Sequence, residues 1–285
     1  EVWWWVNPYP DIEANKPWER HTIKKSGRKG HHDLIADDFN GDGNPELVFW
    51  NQSAGNLYFA EIPPNPSEVD EWSLQLVYHY NNDGEMLQEG FGGYPPFKKV
   101  NDHEGLFACD IDGDGVKDIL AGGRWFKYLG ADKFSENIID ASYTFTRTIA
   151  ADFIEGGRPE VILVAGDGTA PLIMYQFQNG TWVPRVLIAS VWNGHTLELV
   201  DFNKDGHADI FIGEMRLNSS NPQSEIRVLL GDGKGNFIHQ TISKGIGIHE
   251  GRIDDLDGDG DMDILVKPYD WDTPRLDIYL NQEYN

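Results

Sequence analysis

The sequence is short of several things, and each shortage excludes a class of function. One cysteine, Cys109, stands in 285 residues, so no intrachain disulfide and no cysteine-based zinc centre can form. Basic residues are few: 23 Lys and Arg against 47 Asp and Glu, a net charge of −24. That deficit excludes a phosphate-backbone binder driven by counterion release, and no nucleic-acid partner is expected. It leaves cation binding, neutral ligands and plain solubility. No apolar run approaches the ~18–20 residues a membrane helix needs, so no membrane span is expected. No stretch sustains a helical period. Gly-rich phosphate loops, nucleophile elbows and HExxH patterns are missing too. No signal peptide is visible, and Glu1-Val2-Trp3-Trp4-Trp5 is expected to be the start of a processed chain or of an artificially trimmed one. Hydrophobic residues, at 40%, suffice for a core, and 285 residues suit a single all-β domain over 1–285.

What is present is a repeat. An apolar strand, an acidic glycine loop and a second apolar strand recur. The first copy runs Leu34 to Phe49 around Asp38-Phe39-Asn40-Gly41-Asp42-Gly43, and the second surrounds Asp110-Ile111-Asp112-Gly113-Asp114-Gly115. The fourth and fifth surround Asp201-Phe202-Asn203-Lys204-Asp205-Gly206 and Asp255-Leu256-Asp257-Gly258-Asp259-Gly260. A degenerate third copy spans Asp152 to Glu160. The copies begin 72, 42, 49 and 54 residues apart. Two further strand-like runs lie between copies, such as 57–62 with 73–80. Four strands per ~40–55 residues is the arithmetic of a β-propeller blade. The expected fold is therefore an all-β propeller of four-stranded blades with five inner strands, or a ring of six or seven if the chain is a fragment. The last repeat lacks an outer strand after 275–281, and 18–24 offers a spare one. Closing the ring by pairing the two ends would remove exposed edges.

The loops carry oxygen donors at alternate positions. With the first Asp as position 1, positions 1, 3, 5 and 9 read Asp110, Asp112, Asp114, Asp118 and Asp255, Asp257, Asp259, Asp263. Asp38, Asn40, Asp42, Glu46 and Asp201, Asn203, Asp205, Asp209 follow with one amide each. Position 7, counted with them, is Asn44, Val116, His207 or Asp261. Such spacing turns oxygens inward, glycine at 6 allows the bend, and hard flexible ligation suits Ca²⁺. About four Ca²⁺ sites follow, set between strands rather than helices. The third copy has Ile154 and Gly156 at positions 3 and 5 and should hold no ion. The bland reading is that the ions only staple blades.

These loops and strands resemble the VCBS/FG-GAP repeat family, which implies a calcium-binding propeller and, because integrin ectodomains, lectins and polysaccharide lyases share such repeats, leaves function open. A narrower likeness rests on Trp5-Val6-Asn7-Pro8-Tyr9, Trp18-Glu19-Arg20-His21-Thr22-Ile23, His31-His32, 109–115 and His249-Glu250. These segments are similar to the propeller part of the aldos-2-ulose dehydratases, which implies water removal from an oxidised sugar. The cupin domains of those enzymes are absent from this sequence.

Stepping back six residues from each loop start gives His32, Glu104, Thr146, His195 and His249. Equivalent positions lie around one end of a propeller's channel, so quasi-symmetry brings these residues together. His31, His103, Asp33, Arg147 and Glu250 are neighbours. His32, His195, His249 and Glu104 would suit Zn²⁺ or another transition metal. Without metal, one His would abstract a proton beside the carbonyl of an oxidised sugar or the carboxylate of a uronate, for β-elimination, with Arg147 holding the carboxylate and Glu250 and His103 assisting. The plain alternative is a wet, polar channel mouth. Loops on the same end supply Trp50, Tyr94, Trp125, Trp192, Arg216, Lys267, Tyr269 and Trp271 for stacking and hydrogen bonding on sugar rings. The expectation is a secreted or periplasmic, calcium-stapled propeller acting on an oligo- or polysaccharide as a carbon–oxygen lyase. The alternative is a lectin-like or adhesion module that binds without catalysis.

Overall fold

In the computed structural model the residues described are 1–27, 30–80, 86–88, 97–99, 103–131, 133–143, 146–216, 221–268 and 275–282. They are almost wholly strand. A hairpin of β1 (Val2–Trp5) and β2 (Arg20–Lys24) comes first. Blade 1 is β3 (His31–Asp37), β4 (Glu46–Asn51), β5 (Asn56–Glu61) and β6 (Gln75–His79). A small hairpin, β7 (Met86–Gln88) with β8 (Phe97–Lys99), leads to blade 2: β9 (Leu106–Cys109), β10 (Asp118–Ala121), β11 (Arg124–Gly130) and β12 (Lys133–Ile138). Blade 3 is β13 (Thr146–Ala151), β14 (Glu160–Ala165), β15 (Thr169–Gln178) and β16 (Thr181–Trp192). Blade 4 is β17 (Thr196–Val200), β18 (Asp209–Gly213), β19 (Glu225–Gly231) and β20 (Phe237–Lys244). Blade 5 has three described strands, β21 (Glu250–Asp254), β22 (Asp263–Lys267) and β23 (Asp277–Tyr279). Every pairing is antiparallel, and the inner strands β3, β9, β13, β17 and β21 stand in that order around a channel. This is a five-blade β-propeller, as the repeat predicts.

The alternation of side chains along each strand makes the core. In β14, Val161, Leu163 and Ala165 pack into one inter-blade cluster with Ile111, Leu120 and Trp125. Ile162 and Val164, on its other face, pack with Ile210, Ile212 and Leu229 of blade 4. All six residues of β14 are buried, which a strand sandwiched between two blades requires. Each such aliphatic side chain removed from water is worth about 1.5–3 kcal/mol. Among the described residues no helix is long and apolar enough to cross a membrane.

One expectation is corrected. Among the described strands, the N- and C-terminal strands do not pair to close the ring; β1 pairs with β2, and β23 pairs only with β22. The reason is burial. Trp4, Val2 and Ile23 of the hairpin lie against Leu47, Phe49, Ala60 and Trp72, so the hairpin joins blade 1 through its face. Trp72 N–H donates to the Ile23 carbonyl and fixes that contact. Between β21 and β3 a wedge-shaped cavity of about 650 Å³ remains.

Candidate functional site

Each inner strand begins at one end of the channel and finishes at an acidic loop at the other. The channel mouth therefore collects residues that are distant in sequence. Arg147, at the start of β13, is the centre of the cluster. It donates from Nη1 to Asp33 Oδ1 (2.8 Å), and its Nη2 lies 3.2 Å from Glu250 Oε1 and 3.5 Å from Glu104 Oε1. Blades 1, 2, 3 and 5 meet on this one guanidinium. Blade 4 joins through His195, whose ring lies against it with Nδ1 2.9 Å and Nε2 3.4 Å from Nη2.

Local backbone geometry aims these groups. The pairing of β3 with β4 slips between His32 and Leu34, and Asp33 sits in that bulge with φ of 41°. A bulge re-aims a side chain, and Asp tolerates the left-handed region better than most residues. The equivalent position in blade 2 is Gly105, with φ of 78°; a Cβ there would lie 1.9 Å from the Thr146 carbonyl oxygen. Its free N–H donates to Asp33 Oδ2 at 2.7 Å. Thr146 turns away and donates to the Val164 carbonyl (2.7 Å), leaving the channel to Arg147 beside it.

The three imidazoles differ. His32 Nδ1 lies 2.6 Å from Glu104 Oε1 and 3.4 Å from Asp33 Oδ2. Hydrogen bonds to Asp33 and Glu104 raise its pKa from 6.5 to about 10, so it is a cation at neutral pH. His195, almost fully buried, is pushed down to about 2, by burial first and then by Arg147. Its Nδ1 lies 2.9 Å from both the His249 carbonyl, an acceptor, and Arg147 Nη2, a donor. His249 stacks on His195, centroids 4.6 Å apart. Burial, then Arg147 and Lys267, lower it to about 4, so it is a neutral base at neutral pH. Burial raises Glu250 although Arg147 opposes it. Asp33 is also raised by burial, but its hydrogen bond to His32 and the charge of Arg147 more than reverse that. The mouth thus holds a protonated acid and an unprotonated base of the same residue type.

A deeper layer was not foreseen. Glu198 of β17 accepts from Arg252 Nη1 of β21 at 2.8 Å. The Thr148 hydroxyl is buried without a hydrogen-bond partner, and Thr148 lines a cavity of about 280 Å³ with Asp33, Arg147, His195 and Glu250. The signal was available three residues before each loop start, where Ile35, Phe107 and Ile149 give way to Glu198 and Arg252.

The predicted set is thus partly brought together. His32, Glu104, Arg147, His195, His249 and Glu250 converge. His103 does not: its ring is buried against Tyr80, Trp50 and Tyr78, centroids 3.7, 5.0 and 6.0 Å away. Trp50 is fully buried and its Nε1 donates to the Gly105 carbonyl (3.3 Å), so it packs blades and offers no face for stacking. Trp125 is likewise core, between blades 2 and 3. Trp192 keeps 40% of its surface, and Lys267 is exposed next to the mouth. Arg216 donates to the Gly245 carbonyl away from the hub. Tyr94, Tyr269 and Trp271 lie outside the described residues.

The donors His32, His195, His249 and Glu104 do not form one four-ligand centre. They divide into His195, His249, Glu250 and His32, Asp33, Glu104, with donor atoms inside each trio within 4.8 Å. The Arg147 guanidinium stands between the trios and already supplies the positive charge a divalent ion would bring.

At the far end, the loops fold alike. Asp38 accepts from Gly41, Asp42 and Gly43 N–H, as Asp110 does from Gly113, Asp114 and Gly115. Asp201 accepts from Asp205 and Gly206, and Asp255 from Gly258 and Gly260. At position 7, the N–H of Asn44, Val116, His207 and Asp261 donates to the position 5 carboxylate. The position 9 carboxylates Glu46, Asp118, Asp209 and Asp263 are buried and accept from the N–H at position 2. Ligand oxygens gather within 4.8 Å for Asp38, Asp42, Glu46; for Asp110, Asp112, Asp118; and for Asp255, Asp257, Asp259. In the fourth loop the Asn203 amide nitrogen donates to Asp205 instead (2.9 Å). Burial first, with neighbouring carboxylates adding, lifts Glu46 and Asp118 to about 7. In loop 2, Lys127 Nζ lies 2.6 Å from both Asp112 and Asp114. The third loop keeps only Asp152 and Glu160, and is held by Glu155 N–H donating to Gly233 and Gly235 N–H to Phe153.

The family profile described as FG-GAP-like repeat matches residues 38–121 and 152–212, more than half of the chain. No curated protein matches it.

Proposed function

Since the chain belongs to the FG-GAP-like repeat family, a scaffold on which function lives in the site rather than the fold, we propose that it is a carbohydrate-active lyase or dehydratase working by β-elimination on an oxidised sugar or uronate. The observation that supports this most is the pairing, in one hub, of a cationic His32 with a neutral His249 around Arg147. Elimination needs those three roles. His249 takes the proton from the carbon beside the carbonyl or carboxylate. Arg147, whose charge is held by Asp33, Glu104 and Glu250, stabilises the enolate as it forms. His32 hands its proton to the departing oxygen. A C–H and a C–O bond break, a C=C bond forms, and water or an alcohol leaves. Glu104 and Asp33 keep His32 charged; the His195 ring supports His249 by stacking. Proton transfer of this kind is worth about 10²–10⁴ in rate.

The acidic loops are proposed to hold Ca²⁺. Their donors are carboxylate oxygens crowded together and raised in pKa by burial and mutual repulsion, a set a hard cation relieves. The ions would staple the strands of each blade and take no part in the chemistry. Extracellular calcium concentrations suit weak sites of this type, which fits a secreted or periplasmic protein.

The test is ultraviolet detection of a new conjugated alkene from 2-keto sugars and uronate oligosaccharides. Product is expected from the native protein, falling about 10²–10⁴-fold in His249→Ala and His32→Ala. No product, with glycan binding that both variants retain, would overturn the lyase reading in favour of the lectin-like one.

A further inference from the structure

The gap between blades 5 and 1 differs from the other four junctions. Blades 1 and 2, for example, meet through Val48, Trp50 and Phe59 packed on Ile119, Ala121 and Phe126. Across the gap the facing walls are aliphatic but not packed. On blade 5, Leu265 lies opposite Ile278 in the β22–β23 pairing, so both share the face that turns away from blade 4, and Leu276 is two residues along. The opposite face, Ile264, Val266 and Tyr279, is the one buried on blade 4. On blade 1, Leu34 lies opposite Phe49. Leu34 and Leu276 are each 64% exposed, anomalous for a leucine at the start of an inner strand and for one beside an inter-blade face.

The cavity between these walls, about 650 Å³, has a polarity gradient. Its hub end is made by His32, Asp33 and Glu250, which the elimination site also uses, and Lys267 stands at its rim. Val2, Leu34, Phe49, Leu265, Val266 and Leu276 supply apolar lining, and His31 and Arg252 also line the cavity. Asp33, Leu34, Glu250 and Arg252 also line the channel cavity, so the two compartments adjoin and share these walls. We propose that this wedge is the second compartment of the hub site and that the ligand is amphipathic: a sugar acid or keto sugar at the hub, joined to an aliphatic or aryl group that lies between Leu34 and Leu276. The sugar end rests on the function proposed above; the apolar end rests on the wedge alone. A pyranose offers these leucines only the small C–H face of its ring, whereas an apolar substituent removes more of itself and of them from water.

The probes are glucuronic acid and octyl glucuronide, which share the polar end. Calorimetry of the native chain should show octyl glucuronide binding at least about tenfold more tightly, since only a few methylenes need be buried for that gain. Leu276→Asp, at an exposed position that lines the wedge and not the channel cavity, should cut that advantage about tenfold and leave glucuronic acid affinity unchanged. Equal affinity for the two probes, an advantage that this variant keeps, or no binding of either would overturn the assignment. So would sedimentation showing a dimer that Leu276→Asp dissociates, because a second copy would then fill the wedge. Alkene formation from free sugars without any tail advantage would defeat the wedge and leave the lyase reading standing; tail-dependent binding without turnover would do the reverse.

Discussion

The two ends of the wheel gather acidic groups in opposite ways. At the loop end, each cluster is local: Asp38 and Glu46, or Asp110 and Asp118, are eight residues apart and folded together by backbone N–H groups. Among the described ion pairs, Lys127 reaches Asp112 and Asp114 of loop 2, and Lys204 reaches Asp261 of the fifth loop. At the hub, the partners lie far apart: Arg147 meets Asp33 114 residues away and Glu250 103 residues away. There Arg147 and His32 stand against Asp33, Glu104 and Glu250, and Arg252 against Glu198, so most of the negative charge is countered from within. On the function proposed here, the local clusters, short of counter-ions, take a cation from solution, whereas the hub, mostly countered from within, spends its charges on a ligand.

The largest effect expected is on the balanced end. Arg147→Met would leave the half-buried Asp33 and the buried Glu104 with His32 alone as counter-charge, and should cost about 3–5 kcal/mol in denaturant unfolding. A loss under ~1 kcal/mol would mean that the hub charges are solvated and the contrast false. Next comes the loop end. Removing divalent ions with chelator should lower the melting temperature, and Ca²⁺ at about a hundredfold excess over its Kd should restore about 2.7 kcal/mol for each site filled. Chelation without effect would mean that the loops stand by their hydrogen bonds alone. The smallest effect separates the loops from one another. Lys127→Ala should raise Ca²⁺ affinity at loop 2 by about tenfold, because a positive charge beside the ligands is removed. It should change stability little, since Lys127 lies near the surface. Unchanged affinity would show that Lys127 does not compete.

The same contrast sets what could be read before any coordinates. The loop ligands are spaced at positions 1, 3, 5 and 9 of one segment, so their convergence is a property of a single turn. The hub became legible only by assuming rotational quasi-symmetry, which placed His32, Glu104, His195 and His249 correctly at one end. Two kinds of detail escaped. Side chains in strands alternate between faces, so a one-residue step decides whether a ring enters the channel or the core. His103, one residue before Glu104, went to the core among Tyr80 and Trp50. Trp50 and Trp125 also face neighbouring blades, a matter of packing that their position in a loop-flanking strand does not reveal. The bulge that aims Asp33 depends on the slip between His32 and Leu34, for which the sequence of β3 carries no turn signal. Ring closure was misread for a related reason: which face the hairpin's Trp4 and Ile23 would cover is a tertiary choice.

The central claim is that one hub holds histidines in opposite charge states. Nitrogen-15 NMR of the imidazoles across a pH titration tests it directly. The account predicts His32 with both nitrogens protonated through neutrality and up to about pH 10, while His249 stays neutral until the pH falls to about 4. Below that pH, activity should fail as the base is protonated; above about 10 it should fail as the acid is lost. Histidines that titrate together near the ordinary value of about 6.5 would contradict it.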